Sequence, residues 1–308
     1  MSNNRFSGLE AFVAVAEAGS ITAGARRLGR SKAVVSRQVR RLEERLSTQL
    51  LHRTTRSLSL TDAGAALYER AAAAIEDLDE AEAAISSLHG LVRGRLRVTL
   101  PTAYGRKISA PVLVALASEH PDLELDLTFT DRYVDLVGEG FDLAVRIGHL
   151  ADSSLIARRL GETRQIVCAA PSYFASRSRP AQPSDLTDHD CLIYAGQLPG
   201  PAWRFADGET VAVRGRIRSD YGDALFDAAV AGFGIAQLPD FYFGNALESG
   251  LLESLLTDFE AEPLGVWAVY PPRRHLSLKV RAAVDRLAEA VGAREVGAPW
   301  RTVAATLH

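Results

Sequence analysis

Two groups of residues in this 308-residue chain have types and spacings that can do chemistry. The first is Ser31, Lys32, Ala33, Ser36, Arg37 and Arg40, followed by Arg53, Thr54 and Arg56. Lysine and arginine neutralise phosphates, arginine pairs with guanine edges, and small side chains let a backbone approach the bases. The second group stands at the ends of three apolar runs: Thr102 after RLRVTL, Thr130 closing LELDLTFT, and Arg146 in DLAVRI. Two hydroxyls, the free N–H groups of a helix start and one guanidinium suit an anionic or carbonyl oxygen. Neither group is a catalytic set. The chain has no GxSxG, P-loop or HExxH, and AGFGIA lacks the last glycine of a dinucleotide fingerprint and precedes a strand. His189-Asp190-Cys191 is no metal site either, because neighbours along a strand point to opposite faces. The expectation is a binding protein with no catalytic residues, cofactor or metal.

The basic group needs a helix to present it. Val35, Val39, Leu42 and Leu46 recur at helical spacing, and Ser31 can cap the start. Upstream, Leu9, Phe12, Val13 and Ala16 mark one helix, and Ile21, Ala25 and Leu28 mark a second, short one ended by Gly29. A short helix, a glycine turn and a basic helix form a helix-turn-helix pattern. Downstream, LLHRTTRSLSLT reads as two short strands around a basic tip, a wing. The charge distribution agrees. Residues 1–62 hold 11 basic and 5 acidic residues, whereas residues 63–90 hold 1 basic and 6 acidic, and the whole chain is only −3.

From Asp62 the sequence predicts a long helix. Leu67, Ala71, Ala74, Leu78, Ala81, Ile85 and Leu88 alternate four and three apart, the seam of a two-chain coiled coil. At 1.5 Å per residue it would span roughly 40 Å. Packing of the stripe on its own domain is the alternative. From Gly94 strands and helices alternate, as in an α/β sheet with helical crossovers. Expected strands are RLRVTL, LELDLTFT, DLAVRI, RQIVCAA, CLIY, TVAVRGRI, FGIAQLP and LGVWAVY. Expected helices cover residues 107–119, 133–137, GDALFDAAVAG and about 277–291. The two cysteines, Cys168 and Cys191, lie in apolar runs and read as small buried hydrophobes. No apolar window of about 18 residues predicts a membrane span, and MSNNRFSGLEAF lacks the apolar core of a signal peptide, so a cytoplasmic protein is expected.

The run GSITAGARRLGRSKAVVSRQVRRLEERLSTQLLHRTTRSLSLTDAG resembles the DNA-binding segment of LysR-type transcriptional regulators, and the resemblance extends to the helix near residue 290. The chain departs from the family pattern at Gly24, Lys32-Ala33, Ser47 and Leu51, where alanine, Gln-Pro, glycine and phenylalanine are common. The resemblance implies an α/β protein of three parts. These are a winged helix-turn-helix (residues 1–61), a linker and dimerisation helix (62–90), and a two-lobed effector domain similar to periplasmic solute-binding proteins (91–295). Lobe I would be about 91–165 plus 268–295, and lobe II about 166–267. The implied effector site lies between the lobes, where Thr102, Ala103, Thr130, Arg146, Asp220, Tyr221 and Phe233 would face it. The implied partners are promoter DNA, a small effector and further copies of the chain, as a dimer through the linker helix and a tetramer. DSSLIARRL and PPRRHLSLKV resemble the branch of the family that answers to small aromatic or aldehyde-type metabolites, so an aromatic or carbonyl/carboxylate effector is expected. The alternatives are an architectural DNA-binding dimer without ligand and a cysteine-based redox sensor.

Overall fold

A computed structural model describes residues 3–53, 58–72, 74–75, 91–150, 153–196, 202–272 and 276–292. The N-terminal head forms because the apolar faces of its short helices converge. α1 (Asn3–Glu17), α2 (Ile21–Arg27) and α3 (Lys32–Leu46) enclose Phe12, Val15, Ala25, Val35, Val39 and Leu42. Ser20 and Ser31 cap α2 and α3, their hydroxyls accepting from Ala23 N–H (3.1 Å) and Val34 N–H (3.3 Å). Gly29 makes the turn between them at φ +60°. Leu46, expected in the buried stripe of α3, is 41 % exposed. It sits at the last turn, just before Ser47 takes the left-handed conformation that ends the helix.

β1 (Leu51–Arg53) and β2 (Leu58–Leu60) pair antiparallel as the wing, with Leu51 opposite Leu60. A helix, α4, then runs through residues 62–72 and 74–75. Its first turn is tied to the wing: Thr61 Oγ1 donates to Gln49 O (2.7 Å) and accepts from Gly64 N–H (2.9 Å). Leu67, Ala71 and Ile75 pack on the head's own core, whereas Ala74 is exposed. The expected coiled-coil seam therefore begins within its own domain. Leu78, Ala81, Ile85 and Leu88 lie outside the described residues.

The rest is two sheets. In lobe I the order is β4-β3-β5-β14-β6, with β3 (Gly94–Leu100) parallel to β4 (Leu123–Phe129) and β5 (Leu143–Ile147). β14 (Leu264–Tyr270) runs antiparallel to β5 and β6 (Ile156–Thr163). One face of β3 packs Leu96, Val98 and Leu100 against α6 (Ala110–Glu119) and α9 (Leu278–Gly292). The helix after β3 begins at α5 (Thr102–Tyr104), five residues earlier than the sequence predicts, and passes through a π turn, Gly105–Ser109, into α6. A short helix, α7 (Leu136–Glu139), precedes β5. β6 escapes the sequence reading because it lies at the sheet edge with an exposed run of arginines and no apolar alternation.

In lobe II the order is β11-β8-β12-β7-β13. β7 (Gln165–Ala169) and β12 (Ile235–Pro239) are antiparallel, and β8 (Cys191–Tyr194) is parallel to β12 and to β11 (Arg218–Ser219). β13 (Glu253–Leu255) closes the other edge. Both faces are covered: Ile166 and Cys168 pack with Leu225 of α8 (Gly222–Val230), Val167 and Ala169 with Trp203 and Phe205. The run TVAVRGRI is no single strand. Its first part forms a hairpin of β9 (Ala202–Arg204) with β10 (Thr210–Ala212), and Arg218 begins β11 after it. The chain crosses between lobes at Arg164 and returns before Leu264, so residues 264–267, expected in lobe II, belong to the sheet of lobe I.

Candidate functional site

The basic residues of the head share one outward surface. Ser31, Lys32, Ala33, Arg37 and Arg40 are exposed and Ser36 half-buried, while Val35 and Val39, on the opposite side of α3, are fully buried. Val34, 38 % exposed, adds an apolar element beside Ala33. Lys32 and small residues thus occupy the first turn and arginines follow one and two turns later, an arrangement fit for insertion in a major groove. The wing is held beside α3 by Glu43, whose carboxylate accepts from Leu50 N–H (3.0 Å) and Leu51 N–H (3.3 Å). Arg53 ends β1, and Thr54 and Arg56 lie outside the described residues.

A cavity of about 290 Å³ lies where the strand ends of the two lobes meet. β4 and β5 flank β3 on opposite sides, so the chain reverses direction across the sheet there, and such switch points are where open α/β sheets leave a crevice. Ala103, Thr130 and Arg146 line the cavity, together with Asp131, Tyr104 and Ile147 from lobe I. Arg146 Nη1 donates to Arg132 O (3.3 Å), and its guanidinium stands 5.7 Å from the Tyr133 ring. Its Nη2 is buried and has no hydrogen-bond partner among the described residues. Burial pulls the guanidinium below its ordinary pKa, with Tyr133 opposing, but an arginine remains a cation.

Four expected residues stand elsewhere. Thr102 lies outside the lining, and its N–H, expected to be open for an anion, donates to Asp131 Oδ1 (3.0 Å). Asp220 and Tyr221 precede α8 but only their neighbour Gly222 reaches the cavity; the Tyr221 side chain is 43 % exposed. Phe233 follows Gly232 at the far end of α8 and is 52 % exposed. Lobe II instead contributes Tyr194, Gly196, Gln237, Pro239 and Tyr242, and Gln165 and Leu264 enter beside the crossings. The sequence carried a signal for two of these: Gln165 and Gln237 are lone amides in otherwise apolar strands. Burial, then the Asp131 carboxylate of lobe I, pushes the Tyr194 hydroxyl up to about 12.

The cysteines are not placed for redox exchange. Cys168 pairs with Ala236 and Cys191 with Ile235 on the intervening strand β12, and the two thiols face opposite cores of lobe II. Burial pushes both thiols up to about 12, far from a reactive thiolate. Among the described residues no group of three or more His, Cys, Asp or Glu is arranged to hold a metal, and no helix is long and apolar enough to cross a membrane.

Comparison with known proteins matches two stretches of the chain to two family models. Residues 6–65 match the bacterial regulatory helix-turn-helix protein, lysR family, and residues 89–292 match the LysR substrate binding domain. An HTH-type transcriptional regulator of Haemophilus influenzae is 37 % identical over 90 % of this chain and 97 % of its own length. The transcriptional regulator PtxR of Pseudomonas aeruginosa is 36 % identical over 92 % of each chain. Among solved structures, the LysR-type regulator CrgA of Neisseria meningitidis superposes with a TM-score of 0.60 at 32 % identity, covering 92 % of this chain and 98 % of that one. Regulators of this kind bind promoter DNA and small-molecule effectors and form oligomers. A helix-turn-helix head joined to a two-lobed effector domain, matched along nearly its whole length, makes this chain a member of the LysR family of transcriptional regulators and not an enzyme.

Proposed function

We propose that this regulator responds to a compact acid or carbonyl compound, aromatic or aliphatic, seated between its lobes against Arg146. The observation that carries the reading is Arg146 Nη2, buried at the cavity wall with no hydrogen-bond partner among the described residues. A buried donor left unpaired costs about 1–3 kcal/mol, and more when charged. A carboxylate or carbonyl oxygen removes that cost, whereas a cationic ligand would be repelled. Ile147, Leu238, Pro239, Phe241 and Leu264 supply apolar wall for the remainder of the ligand.

The head, in this reading, meets the major groove with Ser31, Lys32, Ala33, Ser36, Arg37 and Arg40, and the phosphates with Arg53, Thr54 and Arg56. The linker segment, residues 62–90, pairs two chains, and effector lobes make the second contact of a tetramer. A ligand touching both lobes favours one interlobe geometry by its differential affinity, and the paired chains carry the change to the spacing of their heads.

The test is thermal denaturation of the full-length protein with butyrate, benzoate and their amide analogues. The acids should raise the melting temperature of the wild type and have no effect on Arg146→Gln. Shifts of equal size in the variant, or a response confined to cationic compounds, would remove the effector assignment and leave the DNA-binding regulator standing.

A further inference from the structure

We propose that the effector carries, on the same small skeleton as its acid group, a hydrogen-bond donor, hydroxyl or ammonium, which Asp131 receives. This rests on the acid-effector reading above and adds the other end of the ligand.

The cavity holds one cation and one anion on the same lobe, Arg146 and Asp131. Among the described residues the two are not paired with each other; Arg146 leans on Arg132 O and the Tyr133 ring. Asp131 accepts from Thr102 N–H on Oδ1 (3.0 Å). A carboxylate has about four lone-pair directions, so this donor leaves acceptor capacity toward the cavity.

The pairing has a consequence for selectivity. A plain acid drawn to Arg146 brings a second negative charge into a small space beside Asp131. Like charges in such a site oppose binding. A ligand whose skeleton turns a hydroxyl or ammonium toward Asp131 replaces that repulsion with a charge-assisted hydrogen bond. Asp131 thus makes simple acids of the right size the weaker ligands and favours hydroxy or amino acids.

Tyr194 lines the same cavity from lobe II, while Asp131 and Arg146 belong to lobe I. A ligand held by Asp131 and Arg146 therefore faces Tyr194 across the lobes.

The experiment is calorimetric titration of the full-length protein with matched probes: butyrate, 2-hydroxybutyrate and 2-aminobutyrate, then benzoate and 4-hydroxybenzoate. In the wild type, at least one donor-bearing probe should bind about 10-fold or more tighter than its plain partner, the range of a charge-assisted hydrogen bond. In Asp131→Asn, which keeps the shape but turns an acceptor into a donor, the preference should fall to within about 2-fold. Near-UV circular dichroism of each variant reports folding. Equal binding of plain and donor-bearing acids by the wild type, with both lost in Arg146→Gln, overturns the role of Asp131 and leaves the acid reading intact. So does a preference that survives in folded Asp131→Asn. Failure of every probe to bind the wild type overturns both.

Discussion

Arg164 and Glu260 face each other across the two segments that join the lobes. Arg164 Nε and Nη2 each approach the carboxylate at 2.9 Å or less, and Arg164 O accepts from Asp240 N–H (2.9 Å). The outgoing strand, the return and the turn at Asp240 are therefore tied at one residue. The arginine is 40 % exposed and the glutamate 15 %, so solvent screens the pair and its bidentate geometry contributes only about 0.5–1 kcal/mol. Arg164→Ala should lower the melting temperature by about 1–4 °C and increase proteolysis at the crossing. A variant with wild-type melting and digestion would mean that the backbone alone holds the lobes.

DNA recognition should divide between helix and wing. Arg37 is exposed on α3 one turn beyond Ala33. Arg37→Ala should weaken binding to the operator by about 1–3 kcal/mol and relax preference at one base position. Arg53→Ala should weaken all sequences alike and reduce the salt slope by about 0.9, one phosphate's worth. Gel-shift titrations over a salt series measure both. Unaltered affinity in both proteins would remove α3 from the groove.

Gly64 fixes how α4 leaves the wing. A methyl group there would lie 2.0 Å from Leu50 O, a backbone atom that also accepts from Thr61 N–H. Alanine gains about 1 kcal/mol in helix propensity, but the clash forces the helix away from Leu50 and Leu51, both 2 % exposed. The clash outweighs the gain, and Gly64→Ala should cost the head about 1–3 kcal/mol. Chemical denaturation followed by circular dichroism checks it; equal or greater stability would mean the helix start can relax freely.

Much of this arrangement was legible in the sequence because helix caps, period and sheet alternation are local. Gly29 and Ser31 announced the head, and the runs RLRVTL and LELDLTFT announced the parallel core of lobe I. What escaped was long-range. β6 carries no apolar alternation because it is an exposed edge, and only its partner β14 makes it a strand. Arg146 and Thr130 could be chosen as polar strand ends. The lobe II wall could not, because which side of the α8 start meets the cavity depends on how the two sheets are joined at Arg164. Tyr194 and Gln237 line the cavity, and Tyr221 and Phe233 do not.

The cysteines should resist modification. With thiols raised to about 12 by burial, the thiolate fraction at pH 8 falls about a thousandfold below that of an ordinary cysteine. Iodoacetamide should label the folded protein at least that much more slowly than the urea-unfolded chain, and diamide should leave operator binding unchanged. Rapid labelling of either cysteine in the folded state would reopen redox sensing.

Lys107 gives a pH dependence whose sign can be worked out. Its ammonium lies 4.6 Å from the Tyr242 ring, donates to Tyr242 O (3.3 Å) and stands 3.6 Å from Asp223 Oδ1 on lobe II. Burial lowers its pKa, Asp223 opposes this, and Arg106 adds to the lowering; the balance is a depressed value. The folded protein therefore releases this proton more readily than the unfolded chain. Between the depressed folded pKa and the ordinary 10.5 the unfolded state binds more protons, so this residue's contribution to stability rises with pH through that window. Below it, the charged form carries a fixed penalty. Lys107→Met removes the charge but keeps the stem packed on Tyr242 and Phe226. The variant should melt above the wild type at pH 7, and the gap should narrow as pH approaches 10.5. Groups common to both proteins cancel in that difference, which isolates Lys107. A variant less stable than the wild type at pH 7 would mean that the link to Asp223 outweighs burial, and that Lys107 clasps the lobes rather than straining them.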